Sequence, residues 1–126
     1  MKKLQQIIGG NYTGERALFM LKDAFIEKAR FFDGESPLKE SRNISLNKCY
    51  FALRYPLWHV DKFKLNDCDF AISSRAPLWY DKNGEIIKSR LLCPKALREC
   101  ENIIIDESTI IGQEFGWKCR NVDVHD

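Results

Sequence analysis

Apolar residues recur along this chain at two spacings at once. The short spacing is two residues. Ala24, Ile26; Ile44, Leu46; Phe63, Leu65; Ile103, Ile105; and Val122, Val124 each bracket one position. That central position is mostly polar or charged (Ser45, Lys64, Glu85, Asp123), with Phe25 and Ile104 as exceptions. Apolar, polar, apolar is the signature of a strand with one face buried. The long spacing is 19 to 21 residues. It aligns Phe31, Phe51, Phe70, Leu91 and Ile110 in one column, and Ile26, Leu46, Leu65, Ile86, Ile105 and Val124 in a second. A third reads Ala24, Ile44, Phe63, Gly84, Ile103, Val122, broken only by Gly84, and a fourth reads Leu18, Leu38, Leu57, Leu78, Leu97.

A period near 20 is too short for a helix–turn–helix repeat and fits a coil of strands. The Leu-x-x-Leu-x-Leu spacing of leucine-rich repeats is absent. The pattern therefore predicts an all-β chain wound as a single-stranded parallel β-helix, a solenoid of about five to six coils. Strands one coil apart would pair in parallel at about 4.8 Å, stacking their inward side chains into ladders. Turn chemistry agrees. Asp23, Asn43, Lys62, Asn83, Asn102 and Asn121 stand just before the third column. Asn and Asp accept the left-handed backbone conformation at turns, and stacked Asn amides can bond along a column. Lys62 is the misfit.

One domain spans residues 1–126. Residues 1–16 are expected to cap the first coil, with Leu4, Ile7 and Ile8 covering its open end, and 17–126 to form the coils, the last incomplete. The sequence stops part-way through a coil, and an uncovered parallel edge is a template for pairing. The expectation is a homo-oligomer, most simply a two-fold dimer through the C-terminal coil.

Charge narrows the partners. Lys and Arg total 20 against 18 Asp and Glu, so no basic excess points to nucleic acid or an anionic membrane surface. No apolar run approaches the roughly 20 residues that span a bilayer. Leu4–Ile8 is too short and polar for a signal-peptide core. The expected location is the cytoplasm. The five cysteines form no C-x-x-C pair. Cys49 and Cys68 share one small-residue column with Ala29, Ser89 and Ser108; Cys100 and Cys119 share another with Leu21, Ser41, Val60 and Asp81. They read as reduced core thiols, with no metal site, since zinc wants four converging ligands. No cofactor motif is present: there is no phosphate loop and no dinucleotide fingerprint.

At Gly34-Glu35-Ser36-Pro37-Leu38-Lys39-Glu40-Ser41-Arg42-Asn43, then Arg54-Tyr55-Pro56-Leu57-Trp58, the chain resembles a mainly bacterial family, domain of unknown function 3737. Gly14-Glu15-Arg16-Ala17-Leu18-Phe19 and Leu21-Lys22-Asp23 resemble that family's opening. The resemblance implies a right-handed parallel β-helix, the architecture of pectate lyases, and no established activity. Members of the family are commonly longer.

Outside the ladders, one constellation carries chemistry. Coil by coil, Glu15, Glu35, Arg54 and Arg75 fall in one column, with Tyr55 beside Arg54. Lys39, Trp58 and Trp79 fall in the next, followed by Glu40, His59 and Tyr80. Aromatic faces beside guanidinium and carboxylate groups hold sugar rings and anionic groups. The alternative is structural: indoles packed under a loop and Glu35–Arg54 as an exposed ion pair of small worth. A glycosidase needs two carboxylates at set separations, for which Glu35 and Glu40 are the candidates. Whether the chain is an enzyme stays open at this stage. The leading expectation is a non-catalytic solenoid that binds a partner or itself. The alternative is a carbohydrate-binding or carbohydrate-active protein.

Overall fold

The structure, a computed structural model, describes residues 4–125. The chain is a parallel β-solenoid of about six turns. Three parallel sheets run along its axis, and no helix occurs among the described residues. The long sheet has seven strands: Gln5–Ile8, Lys22–Glu27, Arg42–Asn47, Asp61–Asn66, Lys82–Ile87, Glu101–Asp106 and Arg120–His125. A six-stranded sheet runs from Asn11–Glu15 through Arg30–Glu35, Tyr50–Arg54, Asp69–Phe70 and Arg90–Leu91 to Thr109–Ile110. The third pairs Leu57–Trp58, Leu78–Trp79 and Leu97–Arg98.

The columns of the sequence are the ladders of the structure. In the long sheet Ile26, Leu46, Leu65, Ile86, Ile105 and Val124 are successive Cα partners, and Ile7 extends the column at its start. In the six-stranded sheet Tyr12, Phe31, Phe51, Phe70, Leu91 and Ile110 align. The rings of Phe31, Phe51 and Phe70 stack with centroids 4.8 and 4.5 Å apart. Leu57, Leu78 and Leu97 align in the third sheet. The inward residues of the central laps are almost wholly buried. Burying such a side chain contributes about 1.5–3 kcal/mol. The stack is therefore the main source of cohesion.

Residues 5–15, expected as a cap, are themselves a lap. Gln5–Ile8 and Asn11–Glu15 each pair in parallel with the strand one coil later. The first three residues of that expected cap lie outside the described residues. Gln5 stands where later laps carry Ala24 and Ile44, so the apolar rhythm that marks a lap is weak there.

Each central lap turns on four single residues in the left-handed backbone region. In one lap these are Tyr55 (φ 53°), His59 (φ 60°), Lys62 (φ 65°) and Asp67 (φ 54°). In the next they are Ala76, Tyr80, Asn83 and Lys88. A non-glycine residue pays for this conformation with roughly 1–2 kcal/mol. It holds only where the surroundings dictate it, and here the pairing above and below does so. Because the conformation repeats in every lap, it marks architecture and not a particular site.

Small polar residues settle the amides that these turns direct inward. The Val60 N–H donates to Asp81 Oδ1 (2.8 Å), Cys68 N–H to Ser89 Oγ (3.1 Å), Ser89 N–H to Ser108 Oγ (3.1 Å) and Cys100 N–H to Cys119 Sγ (3.4 Å). The two cysteine-bearing columns thus supply an acceptor one lap on for a buried donor. All five cysteines are free thiols, four of them buried. Two amide ladders line the outside corners. Asn43 donates to Asp23, Asn102 to Asn83, and Asn121 to Asn102. A second ladder, unforeseen in the sequence, links Asn66 to Asn47 and Asn47 to Glu27.

Candidate functional site

The candidate residues sit on the side of the solenoid made by the third sheet and its two corners. Within one lap the chain turns at Tyr55, runs through Pro56-Leu57-Trp58 and turns again at His59. Leu57 points into the core, which throws Trp58 outward. The next lap repeats this with Leu78 and Trp79. Parallel pairing then sets Trp58 against Trp79 and Trp79 against Arg98, and Arg98 is bridged to Trp117. The Glu40 N–H donates to the Trp58 carbonyl (2.9 Å), which places Lys39 one lap before Trp58.

The result is a continuous aromatic and cationic stack. The Trp58 and Trp79 centroids are 5.6 Å apart, and Tyr55 meets Trp58 edge-on at 5.1 Å. Tyr80 packs 5.3 Å from Trp58 and 5.5 Å from His59. Arg98 lies between two indoles, 4.7 Å from the Trp79 centroid and 4.3 Å from that of Trp117, and Lys118 adds a contact to Trp117 at 4.6 Å. The Trp79 indole N–H donates to the Lys95 carbonyl (3.0 Å). Each cation over a ring contributes about 0.5–2 kcal/mol. At this end of the strip the ring faces are occupied by the protein's own guanidinium, and a ligand cannot stack there without displacing it.

The other end is different. Tyr55 and Trp58 border a cleft of about 250 Å3 whose other walls include Glu15, Arg16, Glu35 and Lys39. Two aromatic rings there share a cleft with two cations and two carboxylates. Arg98 and Trp117 escaped the sequence reading. The signal was present, because continuing the same lap step from Trp79 reaches both.

The expected strip divides into two places. Glu35, Lys39, Tyr55 and Trp58 line the cleft. Trp79, Tyr80, His59 and Glu40 continue the stack, with Glu40 Oε1 3.6 Å from His59 Nδ1. Arg54 reaches Glu35 at 3.8 Å, both partly in solvent, so the pair is weak. Arg54 and Arg75 also border a separate groove on the six-stranded side, lined by Ile72, Leu92, Pro94 and Ile111. The two carboxylates considered for glycoside chemistry, Glu35 and Glu40, each face a different side chain, Arg54 and His59.

Asp81 and Cys119, in one column of the solenoid, both carry perturbed acidity. Burial pushes the Asp81 carboxyl well above the usual carboxylate range, and the nearby Cys119 adds to this. Its Oδ1 accepts the Val60 N–H, while Oδ2 has no partner. Cys119 is only partly buried, and a hydrogen bond from the thiol of Cys100 lowers its pKa to about 7. Among the described residues no cluster of three or more His, Cys, Asp or Glu side chains is arranged to hold a metal ion. No helix among them is long and apolar enough to cross a membrane.

The family model described as Protein of unknown function (DUF3737) matches residues 5–126, and the chain belongs to that family. No curated protein and no solved structure matches it.

Proposed function

We propose that this chain is a non-catalytic binding solenoid and that the cleft at Tyr55 and Trp58 holds a residue of an acidic carbohydrate. The observation carrying this reading is that two aromatic rings share one cleft with the cations Arg16 and Lys39 and the carboxylates Glu15 and Glu35. Apolar ring faces suit the C–H face of a sugar, guanidinium and ammonium groups suit its carboxylate, and carboxylates accept its hydroxyls. A binding role also fits the carboxylates, since Glu35 is engaged by Arg54 and Glu40 by His59.

The test is titration calorimetry against a panel of acidic and neutral oligosaccharides. The expected result is saturable binding of acidic members, weakened at least about tenfold by Trp58→Ala, because truncating an aromatic anchor costs about 2 kcal/mol or more. Circular dichroism confirms that the variant keeps its fold. Absence of binding to every member, or binding untouched by Trp58→Ala, overturns the reading.

A further inference from the structure

The six-stranded side carries a surface that the folded chain does not use. Ile72, Leu92 and Ile111 stand out from three successive laps with relative exposures of 79, 45 and 65%. Together with Ala71, Cys93 and Pro94 they line an open groove of about 1030 Å3. Isolated exposed aliphatic residues are ordinary, but a contiguous apolar groove on a β-solenoid marks a contact surface. Arg54 and Arg75 stand at its rim. They are one lap apart, since the Tyr55 N–H donates to the Arg75 carbonyl (3.0 Å). Arg54 has only a loose partner in Glu35, at 3.8 Å, and Arg75 has no ion-pair partner among the described residues. Two guanidiniums at one border of an apolar channel are complementary to one kind of ligand: a hydrocarbon ending in an anion.

The backbone lining the groove decides between a hydrocarbon and an extended peptide. The amides of Ala71, Leu92 and Ile111 already donate to Phe51, Phe70 and Leu91, and the Pro94 and Gln113 carbonyls accept from Ala76 and Lys95. Among the described residues, the one open edge beside the groove belongs to the last strand of the sheet, Thr109–Ile110. A peptide joining it would extend the end of the solenoid and not lie across Ile72 and Leu92. An extended peptide would set its own amides against apolar side chains without partners, which is costly. An alkyl chain carries no such groups.

We infer that the groove over Ile72, Leu92 and Ile111 binds a linear acyl chain, with its carboxylate held by Arg54 and Arg75. The guanidiniums provide charge-assisted hydrogen bonds to the carboxylate oxygens. The aliphatic side chains exclude water from the chain. This inference is independent of the carbohydrate reading, which rests on Tyr55 and Trp58.

The experiment is equilibrium binding of oleate, below its micellar concentration, to the full chain, beside oleate methyl ester and an acidic amphipathic helical peptide. The expected result is saturable one-to-one binding of oleate. The double variant Arg54→Gln with Arg75→Gln should weaken it about tenfold or more, the effect of losing a hydrogen bond to a charged group. The methyl ester should bind correspondingly less tightly. Ile72→Ser with Ile111→Ser should abolish binding, while Ile104→Ser, on the outer face of the long sheet, should leave it unchanged. All these positions are exposed, so the variants keep their fold, as circular dichroism will verify. Absence of saturable oleate binding, ester binding equal to acid, survival of binding in the Ile72/Ile111 variant, or tighter binding of the peptide each overturns the inference.

Discussion

The ring of Phe63 fills the space beside Gly84. A Cβ placed on Gly84 would lie 2.1 Å from Phe63 Cζ, well inside contact distance. The two are Cα partners in the long sheet, and they share one layer of the ladder. The one apolar column broken by glycine is therefore complete in volume: the large ring of one lap occupies its own place and that of the next. Gly84→Val should overpack this layer and cost about 1–3 kcal/mol. Phe63→Val should leave a cavity and cost about 2–5 kcal/mol. Combined, the two changes should cost less than the sum of the singles by at least about 1 kcal/mol, because each relieves the other. Urea denaturation of the four proteins measures this, and strict additivity would contradict the shared layer.

The Asn ladder has one gap, and its repair can be tested. At Lys62 the amide chain breaks, and Asn83 donates to Asp61 Oδ1 (2.9 Å) instead of to its own column. Lys62 has φ 65°, a conformation that Asn accepts more readily than Lys. Lys62→Asn should place an amide between Asn43 and Asn83 and stabilise the chain by about 0.5–1.5 kcal/mol. Lys62→Gly relieves the same backbone without supplying an amide. If Lys62→Gly stabilises as much as Lys62→Asn, the ladder contributes nothing and only the backbone matters. The denaturation midpoints of the three proteins decide it.

What the sequence made legible follows from what repeats strictly. Leu46 over Leu65, or Phe51 over Phe70, could be read because an inward position tolerates only apolar residues in every lap. The corners could not be read in the same way. Tyr55, Ser36, Ala76 and Lys95 occupy equivalent left-handed corners with no common side chain, because the pairing of neighbouring laps fixes that backbone. The outward direction of a residue at a corner is likewise invisible to a period of two. Hence the lap step alone does not separate Arg54 and Arg75, which border a groove with Ile72 and Ile111, from the cleft at Trp58. The lap at residues 5–15 is hard to read because Gln5 puts a polar side chain where later laps carry Ala24 and Ile44.

Asp81 should make stability fall as pH rises. Burial raises its carboxyl well above the unfolded value of about 3.9. Below that value both states carry the proton, and the residue is neutral in its effect. Above it the unfolded chain ionises while the folded chain keeps the proton, so each further pH unit favours unfolding by up to about 1.4 kcal/mol. The loss continues until pH passes the folded-state value. Asp81→Asn is close in shape to the protonated acid, keeps an acceptor for the Val60 N–H and does not ionise. Its stability advantage over the parent should be small near pH 4 and grow as pH rises, levelling off once pH passes the folded-state value of Asp81. Denaturant titrations at several pH values measure the gap; a constant gap would mean that Asp81 is not held protonated in the fold.

Cys119 should be the one fast-reacting thiol. It is only partly buried, and the other four cysteines are buried. The thiolate is the reactive form, and the Cys100 thiol, by hydrogen bonding, lowers the Cys119 value to about 7 against the opposing effect of burial. Cys100 itself is pushed upward by the same contact and by burial, so it stays a thiol. Iodoacetamide should therefore modify one site quickly, with a rate that rises through an inflection near pH 7 instead of the usual value near 8.5. Cys119→Ser removes the fast phase. Two changes at Cys100 separate the donor from the packing. Cys100→Ser keeps a hydrogen-bond donor of similar size and should leave the inflection low. Cys100→Ala has no donor, and the inflection should move up toward the free-thiol value. An inflection equally low in Cys100→Ala would place the source of the acidity elsewhere than in the Cys100 side chain, leaving the Cys100 N–H as the donor to Cys119 Sγ.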